Sequence, residues 1–87
     1  MECYVKFCDW DESQEALFFT IVSGNSVTGQ IQLISLEGEV VRRKLLKLRK
    51  GVNQITINGL SGLLPGSYGW RFSYTKTKNV SGVVIKR

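Results

Sequence analysis

The sequence predicts an all-β fold, a sandwich of about seven short strands. Three observations predict it. Alternating, β-prone runs recur along the 87 residues, separated by turns rich in Gly, Asn and Ser. No long helix pattern and no strand–helix alternation interrupts them. Tyr68, Trp70, Phe72 and Tyr74 stand at every second position of one run. Successive strand side chains point to opposite faces, so these four share one face, and a core needs such a face.

Taken in order, Glu2–Cys8 reads as the first strand, with Val5 and Phe7 on one face and Tyr4 and Lys6 on the other. Cys3 and Cys8 are five apart and face opposite sides of a regular strand. A disulfide needs Cα atoms within about 7 Å, so two free, buried thiols are expected. Asp9–Glu15 is an acidic loop around Trp10, where Asp9 and Asp11 suit the cap of a short helical turn. Ala16–Val22 is a strand too apolar for an exposed edge, and Ser23–Gly29 is a loop. In Gln30–Leu36, the residues Ile31, Leu33 and Ser35 share a face. Leu36–Glu39 is a tight turn, with Gly38 available for positive φ.

Val40–Leu48 is ambiguous. Val41, Leu45 and Leu48 have helical spacing, but the β-branched start and flanking turns favour a strand, with a bulge that resets its faces. Val52–Ile57 is the next strand, Asn58–Gly66 a loop, Ser67–Thr75 the aromatic strand and Lys76–Asn79 a turn. Val80–Lys86 is the last strand, in which Gly82 marks a bulge or a close backbone approach.

A chain of this length is one domain, 1–87, with one modest core. Its 43% hydrophobic and 22% charged residues are ordinary for a soluble globular domain. No apolar run approaches the ~18 residues that span a bilayer. The first residues do not resemble a signal peptide, since an acid stands at position 2. The expected location is cytoplasmic if the chain is complete as given, or secreted or cell-surface if it ends a longer exported protein.

The net charge of +5 is unevenly spread. Residues 1–41 hold all seven acids and one base, Lys6, whereas residues 42–87 hold eleven bases and no acid. Either the basic half meets an anionic partner, or the halves interleave and their charges pair across strands.

Catalytic patterns are close to absent. Without histidine there is no Ser-His-Asp or Cys-His arrangement, and the glycines match no phosphate-binding loop. No enzyme activity, cofactor or metal site is expected. The acids Asp9, Asp11, Glu12 and Glu15 suit a hard cation such as calcium but lack the EF-hand spacing, so a solvated acidic loop is the alternative.

The candidate partner-binding residues are Arg42, Arg43, Lys44, Lys47, Arg49 and Lys50, with Lys86 and Arg87 at the end. With Arg71, Lys76 and Lys78 they suit nucleic acid, an anionic glycan or an acidic protein. Alternatively they are a solvated strand whose charges deter edge pairing. The aromatic row reads either as a stacking platform for bases or sugars or as core. The small and polar opposite face, Ser67, Gly69, Arg71 and Ser73, favours core. Asn79-Val80-Ser81 matches a glycosylation sequon.

Four stretches carry a family resemblance: IQLISLEGEVV (31–41), GVNQITINGL (51–60), PGSYGWRF (65–72) and VVIKR (83–87). Together they resemble the C-terminal sorting domain of the type IX secretion system of Bacteroidetes. The chain departs from that family in having Phe7-Cys8-Asp9-Trp10 where a Pro-Asn-Pro segment usually stands, and in a longer loop at Ser61–Leu64. The resemblance implies a seven-stranded, Ig-like antiparallel β-sandwich. It also implies recognition rather than chemistry: such a domain follows a secreted cargo, is bound by the outer-membrane export machinery, and is removed as the cargo is attached to the cell surface. The basic surface and the last strand, with Lys86 and Arg87, are then the first places to test. Two other expectations stand beside it: a basic module for nucleic acid or anionic glycan, and a structural accessory subunit that pairs by an edge strand.

Overall fold

The computed structural model describes residues 3–74 and 78–87, and these hold seven β-strands and no helix. The strands are β1 (Cys3–Asp11), β2 (Ala16–Ser23), β3 (Val27–Ile34), β4 (Val40–Leu48), β5 (Gly51–Ile57), β6 (Gly66–Ser73) and β7 (Asn79–Lys86). They form two antiparallel sheets, ordered β1-β2-β5 and β4-β3-β6-β7. The fold is a seven-stranded Ig-like sandwich. Relative to the constant-type immunoglobulin order, the fourth strand has changed sheets: β4 extends the sheet of β3 instead of lying beside β5.

The core lies between the sheets and follows the alternation of the strands. β2 contributes Leu17, Phe19 and Ile21, β3 contributes Ile31 and Leu33, and β6 contributes Tyr68, Trp70 and Phe72, all buried. The aromatic row is core, with Tyr74 buried beyond the end of β6. Phe19 meets Trp70 edge to face, ring centroids 5.6 Å apart, which ties the two sheets at their centre. The Tyr68 hydroxyl donates to the Leu64 carbonyl, four residues upstream, at 2.6 Å. This is a tyrosine corner, and it anchors the leucine loop to the start of β6. Tyr68→Phe keeps the ring and deletes this bond. It is expected to lower stability by about 1 kcal/mol, read from urea midpoints at unchanged slope.

Several local expectations change. β1 continues through Asp9, Trp10 and Asp11, so these residues are strand and not loop. Its register with β2 slips between Val5 and Phe7. The bulge at Lys6 breaks the alternation, so Phe7 does not share the inward face of Val5 but is 61% exposed. The same slip turns both Cys3 and Cys8 toward the core, where strict alternation had opposed them. Both are free thiols, with Val5 between them on the inner face. The predicted loop Ser23–Gly29 shrinks, because β3 already begins at Val27.

β4 is a strand, and its register with β3 slips near Val41, the reset that its sequence suggested. Gly82 marks no bulge, since β7 pairs with β6 in unbroken register. It faces Trp70, and a Cβ there would lie 2.5 Å from the indole Cζ2. The close approach is thus to a ring and not to backbone. Gly38 has φ 89° in the β3–β4 turn, closed by the Gly38 N–H donating to the Ser35 carbonyl at 2.9 Å. Glu2, Thr75 and Lys76, which belong to the predicted ends of strands and a turn, lie outside the described residues.

Asn53 carries a role that the sequence pattern did not disclose. Its amide Nδ2 lies 2.9 Å from the Arg49 carbonyl and 3.2 Å from that of Gly51, while Oδ1 accepts the Arg49 N–H at 2.9 Å. The side chain therefore staples the β4–β5 turn, a local use of Asn that substitutes for backbone pairing.

Candidate binding surface

Charge separates by sheet. β3, β4, β6 and β7 contain no acid but six bases: Arg42, Arg43, Lys44, Lys47, Arg71 and Lys86. The two halves of the sequence do interleave, since β2 pairs with β5 and β3 with β6. Their charges do not pair across β4, however. Arg42, Arg43, Lys44 and Lys47 stand opposite Leu33, Gln32, Ile31 and Thr28.

The basic run divides because a strand has two faces. Leu46 and Leu48 are buried, and counting back in twos puts Lys44 and Arg42 on the same inward side. At this open margin of the sandwich both reach across to the other sheet. Lys44 Nζ donates to the Thr56 carbonyl at 2.7 Å. Arg42 donates to the carbonyls of Val41 at 2.7 Å and Gly59 at 3.2 Å. Arg43 and Lys47 point outward and are exposed. Arg49 and Lys50 are exposed at the β4–β5 turn, and Arg87 is exposed at the chain end.

Lys86 requires a correction. It shares the inward side of β7 with Val84 and is only 8% exposed, so it is not part of an accessible basic surface. Its Nζ donates to the Leu63 carbonyl at 2.7 Å and sits 5.5 Å from the centroid of the Trp10 ring. It fastens the end of β7 to the leucine loop and to β1. Lys76 lies outside the described residues.

The surface residues that sequence reasoning undervalued are on the outer face of the four-stranded sheet. Register places Arg43, Gln32, Arg71 and Ser81 in one row across β4, β3, β6 and β7. The neighbouring row is Leu45, Gln30, Ser73 and Asn79. Arg43, Arg71, Ser81 and Asn79 are exposed, and the two glutamines are half-buried between strands. An open groove beside them is lined by Thr28, Gln30, Leu45, Lys47 and Ser73, together with Leu46 and Tyr74. Tyr68, Trp70 and Phe72 of the aromatic row are on the opposite, buried face.

The sheets have four free edges. At β5 Lys44 takes one carbonyl, that of Thr56, while β4 bears Arg43 and Lys47 and β1 is bulged at Lys6. Outward bases and bulges are recognised ways of blunting an edge. β7 from Val80 to Ile85 has no charge, no proline and no bulge, and it presents Val83 at 73% and Ile85 at 57% exposure. A groove of about 420 Å³ runs between this strand and Cys8, Asp9, Trp10 and Glu12.

The acidic turn is organised by Asp11. Its Oδ1 accepts from the Ser13 hydroxyl at 2.7 Å and from the Ser13 and Gln14 N–H groups at 2.9 and 3.3 Å. The Ser13 hydroxyl, ahead of the backbone donors, holds the carboxyl below its ordinary range. The turn Glu12–Glu15 forms no helix. Among the described residues, no three of His, Cys, Asp or Glu are grouped to hold a metal ion. No helix there is long and apolar enough to cross a membrane.

Burial first, and the charge of Asp9 second, push the Cys8 thiol up from 9.0 to about 12. Folding thus favours the neutral thiol. Its contribution to stability is complete below pH 9.0 and is lost as pH rises toward about 12, because the unfolded chain releases the proton first. The difference in urea midpoint between the native protein and Cys8→Ala should shrink as pH rises through that window. A constant difference would show that the thiol titrates normally.

No protein-family model matches the chain, and no curated protein matches it.

Proposed function

We propose that this chain is a non-catalytic recognition domain, read by protein export machinery in the manner of the type IX sorting domains that its sequence resembles. In this reading it travels at the end of a longer exported protein and is associated with attachment of that protein to the cell surface. The observation that carries the reading is the state of the four edges. β1 is bulged and β4 bears outward bases, whereas β7 has neither along Val80–Ile85, and β7 is the strand that the resemblance matches to the sorting signal. An edge strand with exposed Val83 and Ile85 suits recognition by strand addition, in which main-chain bonds give affinity and alternate side chains give selectivity.

The test is a reporter fused ahead of residues 1–87 in a type IX-competent host. Export is expected, and retention inside the cell removes the sorting reading. Val83→Lys should cut export severalfold, because a lysine guards the edge, with little change in melting temperature at this exposed position. Equal export of both fusions would move recognition away from β7.

A further inference from the structure

We infer that the outer face of the four-stranded sheet is a binding site for an extended anionic polysaccharide, lying across the strands along Arg43, Gln32, Arg71 and Ser81. Four observations converge on it. Arg43 and Arg71 both stand opposite Gln32, on its two sides, so register holds them on one row two strands apart. Inter-strand spacing sets their backbones about 10 Å apart. Carboxylates or sulfates on alternate sugars of an extended chain can match such a separation. Each guanidinium has a planar donor fork that suits a carboxylate or sulfate in two-point contact.

The second observation is the absence of competitors. No carboxylate occurs in any of the four strands, so the outward arginines face no acid on their own sheet. Third, although the row on one side of them is Ile34, Gly69 and Val83 and the other begins at the exposed Leu45, between and beside them stand the amides and hydroxyls of Gln30, Gln32, Ser73, Asn79 and Ser81. These groups donate and accept, as sugar hydroxyls and ring oxygens require. Lys47 extends the positive field along the adjoining groove.

The fourth observation decides between two anionic polymers. Single-stranded nucleic acid is held by aromatic side chains on which bases stack. Here Tyr68, Trp70 and Phe72 are turned into the core, the outward positions of these four strands carry no aromatic residue, and Tyr74, which lines the adjoining groove, is only 6% exposed. Charge and hydrogen bonding without stacking fit a charged glycan better than a base-bearing chain.

This inference is independent of the export reading, since a fusion protein can be exported whether or not its domain holds a glycan. The probes are polygalacturonate and dextran sulfate, with neutral dextran and oligo-dT for comparison, titrated into the 87-residue domain at low and at physiological salt. Expected is binding to at least one anionic polysaccharide, weakened by salt, with no binding to dextran and weaker binding to oligo-dT. The pair Arg43→Gln with Arg71→Gln should lose at least about tenfold in affinity, on the scale of one charge-assisted bond. The pair Arg49→Gln with Lys50→Gln removes the same charge from the turn and should lose less than about threefold. Both pairs are exposed, and unchanged melting temperatures establish that the variants fold. Absence of binding to both anionic probes overturns the inference. So does an equal loss in the two pairs, which would mean diffuse attraction to net charge. Tighter binding of oligo-dT would reassign the face to nucleic acid.

Discussion

Phe19→Ala is expected to lower stability by about 3–5 kcal/mol, observed as a large fall in the urea midpoint. Phe19 is fully buried at the middle of β2, the central strand of its sheet, and its ring meets Trp70 of the opposite sheet at an interplanar angle of 81°. Removing a buried phenyl group costs about 3–5 kcal/mol, from lost transfer energy and from the cavity left behind. A domain of this size has about 4–13 kcal/mol in total. The loss therefore consumes most of the margin at the lower end of that range. Phe19→Leu retains more of the volume and should remain folded with a lowered midpoint. A Phe19→Ala protein with a near-native melting temperature would mean that the sheets are not joined through this contact.

Gly82→Ala should cost about 2 kcal/mol, although an alanine in a strand is ordinarily an improvement on glycine. The entropic gain of about 0.5–1 kcal/mol is real. Against it, the new methyl group would lie 2.5 Å from Trp70 Cζ2 and 2.7 Å from Cε2. Neither ring atom is the end of a flexible chain, and Trp70 is hemmed in by Phe19 behind it. Overpacking of this kind costs about 1–3 kcal/mol, sometimes more. Either the indole is pushed off its place or β7 bows away from β6, and a changed tryptophan emission spectrum would report the former. The decisive comparison is the same substitution in a Trp70→Leu background. There Gly82→Ala should be neutral or stabilising, a coupling of about 2 kcal/mol or more between the sites. An equal cost in both backgrounds would exclude the indole as the obstacle.

Much of the fold was legible because two-residue alternation is a strong signal wherever a strand is regular. Ile31 with Leu33, and the row from Tyr68 to Tyr74, read correctly on that basis alone. The turn at Gly38 and the bulge in β4 were also legible, the first from residue type and the second from a break in the apolar pattern. The burial of Lys86 was within reach. Alternation through Gly82 and Val84 puts it inside, but a positive charge near a chain end invites the opposite reading. Arg42 and Lys44 are the same case, aligned with Leu46 and Leu48 yet assigned to a surface because they are charged. Long basic side chains can follow an inward direction and still place their charged ends on carbonyl oxygens at the margin, so charge alone does not determine facing. The outward row of Arg43, Gln32 and Arg71 was not legible, because it depends on the register of three strands distant in sequence.

The extra residue at Lys6 has a consequence for how this chain tolerates change in length. Upstream of it, Cys3 and Val5 face inward, and downstream Cys8 and Trp10 do, so the two sets lie on odd and even positions. Deleting Lys6 would remove the extra residue, so that Cys3, Val5, Cys8 and Trp10 fall on alternate positions of one regular strand and keep their inward faces, with Phe7 still outward. The indole would stay beside the Lys86 ammonium. A single-codon deletion here thus leaves both ends of β1 in place and removes only the bulge that blunts its edge, and substitution of Lys6 itself, an exposed residue, leaves them in place as well.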